Sequence, residues 1–238
     1  MPTLPSQSVQ LVFADLPYQV TKCAWDTQID LQAFWKNINC LGNDNSITAL
    51  TACLRFAIGL IASNENAFRY DLVWHKNRST GFFNAKYAPL RSHEHILIFG
   101  KKRSIYNPQM TQTASKRRGL CKKGINRTEY LDYTHKPKTY TYGPARFPQS
   151  VITAASPCRE RGFHPTQKPV ALLEWLIRTY TDPGDIVLDP VAGAGSTAIA
   201  AMRTERRAIC IEQDPQYFAV MSKRVADERA GMVQQTLC

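Results

Sequence analysis

Residues 186–212 have the sequence IVLDPVAGAGSTAIAAMRTERRAICIE, and this stretch decides the fold class. Residues 186–188 are a short apolar run, which predicts a buried strand. Residues 196–203 predict a helix after a glycine-containing turn, and residues 208–212 predict the next strand. A strand, a helix and a second strand in this order form a βαβ unit with parallel strands, so the segment predicts an α/β fold.

The turn inside this unit fits the pattern G-x-G-x-x-A at residues 193–198. Gly193 and Gly195 permit a tight turn and close approach of a ligand to the backbone. Glu212 ends the second predicted strand, where an acid can accept hydrogen bonds from two ribose hydroxyls. We therefore expect a nucleotide-like cofactor, with a purely structural turn as the alternative. NAD and S-adenosylmethionine both fit, but Asp189 favours the second, because a carboxylate there repels a pyrophosphate and can hold a cationic amino-acid group.

Other apolar runs extend this pattern along the chain. We predict strands at residues 9–14, 46–51, 68–74 and 95–99, and helices at 31–38, 52–62, 170–180 and 215–229. Residues 76–90, which contain Gly and Asn, predict a loop. Alternating strands and helices imply a mostly parallel sheet.

The positive charge of the chain is concentrated in one segment. The 238 residues carry a formal net charge of +11. Residues 101–161 hold 14 Lys and Arg against 3 Asp and Glu, whereas the remaining chain is balanced at 16 of each sign. Such a block attracts a polyanion such as double-stranded DNA, and a solvated loop is the alternative. The candidate DNA-binding residues are Lys101, Lys102, Arg103, Lys116, Arg117, Arg118, Lys122 and Lys123.

Composition favours a cytoplasmic protein with no membrane segment. No apolar run reaches membrane-spanning length, and no signal peptide opens the chain. The seven cysteines have no C-x-x-C pair and no regular spacing, which predicts free and mostly buried thiols in a reducing compartment. His75, His93 and His95 lack a metal-ligand pattern, so we expect no metal site.

A second motif, Asp15-Leu16-Pro17-Tyr18, directly follows the first predicted strand; we call it the clamp. The exocyclic amine of adenine or cytosine is a poor nucleophile, because its lone pair is delocalised into the ring. The Asp15 carboxylate and the Leu16 carbonyl can accept both N–H groups and turn the lone pair toward a methyl donor. Pro17 would rigidify the turn and Tyr18 would stack on a base that has left the duplex. An ordinary strand-end turn is the alternative.

Together these segments resemble the amino-directed DNA methyltransferases of β-type motif order, which depend on S-adenosylmethionine. The clamp resembles the family's D-P-P-Y, and residues 189–197 (DPVAGAGST) resemble D-P-F-x-G-S-G-T. Residues 164–169 are H-P-T-Q-K-P, and residues 93–99 (HEHILIF) resemble the strand that closes the family's sheet. The order of the motifs, with the basic segment between clamp and glycine turn, is also that of the family.

The resemblance implies a Rossmann-like methyltransferase sheet, mostly parallel with an antiparallel strand, plus a loop-rich basic insert. Residues 1–100 and 162–238 would form the catalytic domain, and residues 101–161 the target-recognition insert. The implied reaction is direct in-line methyl transfer from S-adenosylmethionine to the N6 amine of a flipped adenine in DNA. The implied catalytic residues are those of the clamp; the implied cofactor-binding residues are His164, Thr166, Lys168, Asp189, Pro190, Gly193, Gly195, Ser196, Thr197 and Glu212.

The chain departs from the family pattern in three places. Leu16 replaces a proline whose carbonyl alone is needed, and residues 53–56 (CLRF) replace S-Q-P-F. Only eight residues precede Val9, so we expect the family's preceding strand with its Gly-Asp pair to be missing. Either the chain is truncated or the adenine end of the cofactor pocket is open.

Several other functions compete with this interpretation. An N4-cytosine methyltransferase and a truncated, inactive DNA-binding relic are the main alternatives. A cytosine-C5 enzyme would need the Pro157-Cys158 pair as nucleophile, and that pair lies in the basic insert. A nicotinamide oxidoreductase leaves H-P-T-Q-K-P unexplained, and RNA or protein-glutamine methyltransferases normally place the cofactor turn first. The sequence leaves open whether the chain forms a homodimer and whether a cognate restriction enzyme exists.

Overall fold

The structure is a computed structural model that describes residues 4–17, 29–102, 104–112, 118–120, 126–128, 131–133, 139–141, 144–156 and 167–236. Its elements, in chain order, are β1 (Val9–Ala14), α1 (Leu31–Leu41), β2 (Gly42–Ala52), α2 (Leu54–Ser63), β3 (Phe68–Thr80), β4 (Arg91–Gly100), β5 (Thr111–Gln112), β6 (Arg118–Leu120), β7 (Asn126–Thr128), β8 (Leu131–Tyr133), β9 (Thr139–Thr141), β10 (Ala145–Arg146), β11 (Val151–Thr153), α3 (Val170–Tyr180), β12 (Ile186–Asp189), α4 (Ser196–Arg203), β13 (Arg207–Cys210) and α5 (Pro215–Thr236). Single 3₁₀ turns occur at Glu65–Ala67 and Phe82–Asn84.

The described residues form a seven-stranded sheet in the order β11-β3-β4-β2-β1-β12-β13. All neighbouring pairs are parallel except those made by β4, which runs antiparallel to both β2 and β3. The fold class predicted from the sequence is therefore confirmed: the sheet is mostly parallel, with an antiparallel strand.

Helices cover both faces of this sheet, because successive side chains of each strand point to opposite sides. On one face Leu11, Phe13 and Ile98 pack with Leu172 and Leu176 of α3. On the other face, alternate strand residues pack against α1 and α2; this second cluster includes Ala14, Leu50, Leu97, Phe99, Trp35 and Leu60. Burial on both faces explains why the strands are continuous apolar runs rather than alternating ones.

Strand direction decides which residues meet at each edge of the sheet. Asp15 directly follows β1, and Asp189 ends the neighbouring parallel strand β12, so both lie at the carboxyl edge. Because β4 is antiparallel, its first residues lie at this same edge, where His95 pairs with Ala52 at the end of β2. The connection between β3 and β4 therefore projects beyond the carboxyl edge.

Two regions differ from the sequence-based expectation. Residues 76–80 continue β3 instead of starting a loop, since they pair with β4 as far as Thr80 opposite Arg91. Within the predicted insert, β11 joins the main sheet parallel to β3, as its β-branched residues Val151, Ile152 and Thr153 favour.

The chain divides into two compact units, residues 1–107 with 150–238, and residues 108–149. The second unit is narrower than the predicted insert, because Asn107 donates from its backbone N–H to the Thr179 carbonyl at 2.8 Å and β11 belongs to the first unit. Taken by itself, its described residues form three two-stranded antiparallel ladders, β5 with β10, β6 with β9, and β7 with β8. Among the described residues of both units, no helix is long and apolar enough to cross a bilayer.

Candidate active site

A cavity of about 620 Å³ opens at the carboxyl edge, beside the ends of β1 and β12. Asp15 and Pro17 of the clamp line one side, and Asp189 with residues 190–194 lines the other. These five residues belong to the turn at 190–195, here the glycine turn; Gly195, a predicted cofactor contact, is not among the lining residues. The two motifs that define the sequence thus share one cavity. Several lining side chains were not predicted from the sequence, including Phe13, Ile29, Leu173, Ile211 and Tyr217.

Asp15 is held by two side chains from distant parts of the chain. The Thr51 hydroxyl, near the end of β2, donates to Asp15 Oδ1 at 2.5 Å. The Lys168 ammonium forms a salt bridge with Asp15 Oδ2, and only 7% of the Lys168 side chain is exposed. A carboxylate oxygen accepts more than one hydrogen bond, so Asp15 can also accept from a ligand in the cavity. Lys168 therefore lines the cavity, and its ammonium contacts Asp15 of the clamp; its role as a cofactor contact stays a prediction.

Lys168 also joins Asp15 to a second ion pair. Its Nζ lies 3.7 Å from Oε2 of Glu94 in β4, while Lys76 of β3 donates to Oε1 of that carboxylate. Lys76 Nζ in turn lies 4.9 Å from the ring centroid of Trp74. None of the four charged side chains is more than 20% exposed, so solvent screens their attraction less than it would at the surface. Local sequence patterns carry no signal for this network, because its members come from separate elements.

Glu212 shapes the glycine turn by accepting from backbone N–H groups. Its Oε2 accepts from Gly193 at 2.7 Å, and its Oε1 accepts from Asp214 at 2.8 Å. The Ala192 N–H donates to the Ile211 carbonyl at 2.9 Å, which fixes the turn to the segment after β13. The carboxylate expected to face a ribose thus also organises the turn that lines the cavity.

Helix α5 packs against the other side of the glycine turn. Gly195 has φ of +76°, and a Cβ added there would lie 2.5 Å from Met221 Cγ. Arg224 of the same helix donates to the Ala194 carbonyl at 2.5 Å. Packing against α5 therefore requires glycine at position 195, in addition to its left-handed backbone conformation.

Asp189 lies below the turn and is 3% exposed. The Thr197 hydroxyl donates to its Oδ2 at 2.5 Å, and the Val191 N–H donates to its Oδ1 at 3.1 Å. Burial raises the pKa of Asp189 to about 7, and the nearby charges of Asp15 and Glu212 add to the rise, against the lowering effect of the two hydrogen bonds. A cation entering the cavity would favour the ionised form of this carboxyl.

The first turn of α4 completes the cavity wall. Ser196 and Thr197 line it, and Ser196 Oγ is buried with no hydrogen-bond partner among the residues the structure describes. Leaving a buried hydroxyl unsatisfied costs free energy, so this group is suited to bond a ligand. Pro190, also predicted from the sequence, lies on the same wall.

The remaining clamp residues have different environments. The Leu16 side chain is 3% exposed and packs in the cluster of Trp35, Leu50 and Leu97, which explains how leucine substitutes for proline at this position. Predictions for Tyr18, His164 and Thr166 fall outside the described residues.

The structure does not bring the predicted DNA-binding residues Lys101 and Lys102 to the cavity. They follow the end of the antiparallel strand β4, and this places them at the opposite edge of the sheet. Lys101 donates to the Asn39 carbonyl at 3.1 Å, and Lys102 lies 2.6 Å from Asp44 Oδ2. Arg118 is described only as part of β6, and Arg103, Lys116, Arg117, Lys122 and Lys123 lie outside the described residues.

Comparison with known proteins agrees with this arrangement. The model of the N6/N4 methyltransferase family, described as DNA methylase, matches residues 9–223. The chain belongs to this family. The resemblance inferred from the clamp and the glycine turn is thereby confirmed. The family match includes both of these motifs, which line opposite sides of the cavity.

Individual relatives differ in how much of their length is matched. The DNA adenine methyltransferase YhdJ of Escherichia coli (strain K12) is 29% identical over 93% of this chain and 78% of its own length. A second protein of that organism, YubD, is 48% identical over 71 residues, so the aligned chain spans only 31% of YubD. The crystal structure of the M1.HpyAVI–SAM complex has a TM-score of 0.63 and 26% identity, and the match covers 92% of this chain and 89% of that one.

Replacing Lys168 by methionine should destabilise the protein, because Asp15 and Glu94 then face each other without the intervening ammonium. We expect a loss of about 2 kcal/mol in the free energy of unfolding, measured by urea denaturation. The same change at Lys102, whose partner Asp44 is largely exposed, should cause no measurable loss. Equal losses in the two variants would contradict the importance of the buried pair.

Replacing Gly195 by alanine should lower the melting temperature, because the new Cβ meets Met221 and the backbone has positive φ. We expect a cost of about 2 kcal/mol or more, of which about 1 kcal/mol is conformational. Adding Met221→Ala should recover part of the loss, so the double variant should be more stable than the sum of the single effects. Strict additivity would show that the two residues are not in contact.

The raised pKa of Asp189 predicts the direction in which the stability of the protein changes with pH. Between about pH 4 and pH 7 the folded chain holds a proton that the unfolded chain has released, so the contribution of Asp189 to stability falls as pH rises. Asp189→Asn removes this contribution. Its stability relative to the unsubstituted protein should therefore increase by about 4 kcal/mol between pH 4 and pH 8. Urea denaturation at both pH values measures the difference, and a difference independent of pH would refute the assignment.

Proposed function

We propose that this protein methylates the N6 amine of adenine in DNA and uses S-adenosylmethionine as methyl donor. The observation that carries the proposal is that Asp15 and Asp189, at the ends of adjacent parallel strands, line the same cavity. An amine held at the first carboxylate would lie beside a cofactor held at the second. That juxtaposition is what transfer between two bound molecules requires.

The residues of the cavity fit S-adenosylmethionine. Its cationic groups match the buried carboxyl of Asp189, whose ionisation they would favour. Its hydroxyls match Glu212 and the unsatisfied hydroxyl of Ser196, and the glycine turn presents backbone close to the cavity. When bound, S-adenosylmethionine supplies an electrophilic methyl group on its sulfonium. The solved complex of M1.HpyAVI with this cofactor supports the assignment.

The clamp would position the nucleophile. Asp15 accepts one N–H of the amine and the Leu16 carbonyl accepts the other, so the nitrogen lone pair turns away from the ring and toward the methyl carbon. Lys168 and Thr51 hold the carboxylate in a fixed orientation, so it need not reorganise as the nitrogen becomes cationic. In the proposed transfer the amine nitrogen would bond to the methyl carbon as the carbon–sulfur bond breaks, with the electron pair of that bond going to sulfur. No bond to the protein would form, and the amine would then lose its excess proton to water.

Two observations favour adenine as the target. The clamp begins with Asp, as it mostly does in family members that act on adenine N6, whereas Ser favours cytosine N4. YhdJ, whose match covers 93% of this chain, is named a DNA adenine methyltransferase.

We assign recognition of the DNA sequence to the second unit. Residues 108–149 carry nine Lys and Arg against two Asp and Glu, so the unit suits contact with phosphates. The catalytic domain would then consist of the segments on either side of this unit.

Transfer of radiolabelled methyl groups to unmethylated mixed DNA tests the proposal. Asp15→Asn should lower the rate about 100-fold or more, because the amide replaces one acceptor by a donor facing the amine. Asp44→Asn, a carboxylate at the opposite edge of the sheet, should keep the full rate. Nucleoside analysis by mass spectrometry should identify N6-methyladenine.

Three results would contradict the proposal. Labelling that does not depend on Asp15 would remove the clamp from catalysis. N4-methylcytosine as product would overturn the choice of adenine. Binding of DNA without S-adenosylmethionine binding or methyl transfer would indicate an inactive relic.

A further inference from the structure

We propose that the projecting end of the β3–β4 hairpin, residues 77–91 and here called the hairpin tip, is a second DNA-contacting surface. Its aromatic rings would stack on bases beside the position from which the target base leaves the duplex, and its cations would contact the flanking phosphates. The inference rests on the proposed function, since it takes the partner to be the DNA that carries the target base.

The hairpin tip projects from the edge of the sheet at which the cavity opens. β3 and β4 remain paired from Trp74 opposite Glu94 to Thr80 opposite Arg91, with an irregularity beyond His75. At about 3.3 Å per residue, the tip extends roughly 15 Å or more past the carboxyl edge. The cavity opens at the same edge, so DNA with a base inserted at Asp15 would approach the tip.

The hairpin tip exposes three large aromatic rings to solvent. Phe83 is fully exposed, Tyr87 is 88% exposed and Phe82 is 79% exposed. Three such rings within six residues form an apolar surface that a folded monomer rarely leaves in water.

The rings are carried by an ordered turn rather than by an extended loop. Gly81 has φ of +89°, and its carbonyl accepts from the Asn84 N–H at 2.9 Å. The Asn84 carbonyl in turn accepts from the Tyr87 and Ala88 N–H groups at 2.9 and 3.0 Å. The backbone therefore holds the rings outward, and their exposure is built into the turn.

The positive charge of the hairpin tip favours a polyanion as its partner. Arg78, Lys86 and Arg91 lie in the tip, where every residue is exposed, and the sequence from 76 to 91 contains no Asp or Glu. In the described part of the chain, no carboxylate lies within salt-bridge distance of these three side chains. Aromatic rings interleaved with unneutralised cations match the two recurring components of nucleic-acid contacts, base stacking and phosphate binding.

The chemistry of the site gives the rings a specific task. A base that enters the cavity leaves a gap in the stack and an unpaired partner base. Apolar side chains inserted at such a step offset the cost of unstacking, and a projecting element can deliver them.

Two triple variants separate these components. Phe82→Ser, Phe83→Ser and Tyr87→Ser together remove the rings; Arg78→Gln, Lys86→Gln and Arg91→Gln together remove the charges. Matched controls on exposed positions elsewhere are Phe218→Ser for the rings and the triple Lys36→Gln, Lys223→Gln, Arg229→Gln for the charges. Because all substituted side chains are exposed, each variant should keep the melting temperature of the unsubstituted protein.

Fluorescence anisotropy on a short duplex containing one abasic site, across a salt series, measures the effect. Loss of the three rings should weaken binding about 10-fold, with the salt dependence unchanged. Loss of the three cations should weaken binding and reduce the slope of log affinity against log salt by about two to three. The control variants should bind like the unsubstituted protein.

The outcomes distinguish this inference from the proposed function. Unchanged DNA affinity in both tip variants overturns the inference and leaves methyl transfer untouched. If the tip variants instead lose self-association, measured by sedimentation, with DNA affinity unchanged, the surface binds a second copy of the chain and the inference is wrong. In a third outcome, the tip variants bind DNA more weakly while the unsubstituted protein binds S-adenosylmethionine but transfers no methyl group. That result would support the tip as a DNA-contacting surface and refute the proposed reaction.

Discussion

The salt bridge between Lys168 and Asp15 joins positions 153 residues apart, and the rest of the site depends on it. It fixes the clamp at the end of β1 to the segment that enters α3. Helix α3 also packs on the same sheet face as Leu11 and Phe13. The ion pair and the core packing therefore both fix the position of β1 relative to α3. The Lys168 side chain is only 7% exposed, so its charge needs such compensation, since burial of an unpaired charge is strongly unfavourable. The orientation of Asp15 is therefore a property of the folded chain and exists before any ligand enters.

Asp15 and Asp189, two of the carboxyl residues that line the cavity, are stabilised by different partners. Asp15 is balanced by Lys168, which also lies near Glu94 and through it is linked to Lys76. Among the described residues, Asp189 has hydroxyl and N–H partners but no cation within salt-bridge distance, and burial raises its pKa to about 7. Under the proposed function, Asp15 would accept a hydrogen bond from a neutral amine, while Asp189 would gain most from a ligand that brings positive charge. A shared cavity with two such walls would separate the proposed amine substrate from the proposed cofactor by electrostatics as well as by shape.

Local sequence patterns were sufficient to predict the strands and helices that carry the site. They were not sufficient to predict the side-chain contacts that hold the site residues in place. The bounds of β1, α3 and α4 follow from apolar runs and turn residues, because burial on both faces of a parallel sheet leaves a strong signal. The pairing of the clamp with the glycine turn was likewise accessible, since both follow strands. The Lys76–Glu94–Lys168 network was not, because its members lie on β3, β4 and a segment before α3, and only strand direction brings them together. Gly195 was assigned to ligand approach, whereas its contact with Met221 depends on the position of α5.

Strand direction also changes what the charge of the chain means. Counted along the sequence, the 16 basic and 16 acidic residues outside positions 101–161 cancel and suggest no second surface for a polyanion. The fold separates them in space: Arg78, Lys86 and Arg91 project past the carboxyl edge in a stretch without carboxylates, while Arg203 forms a salt bridge with Glu228 of α5. Because an electrostatic field depends on where charges lie and not on their sum, a balanced segment can still present a basic surface beside the active site. The antiparallel β4 produces this separation, since it directs its first residues to the cavity edge and its last residues away from it.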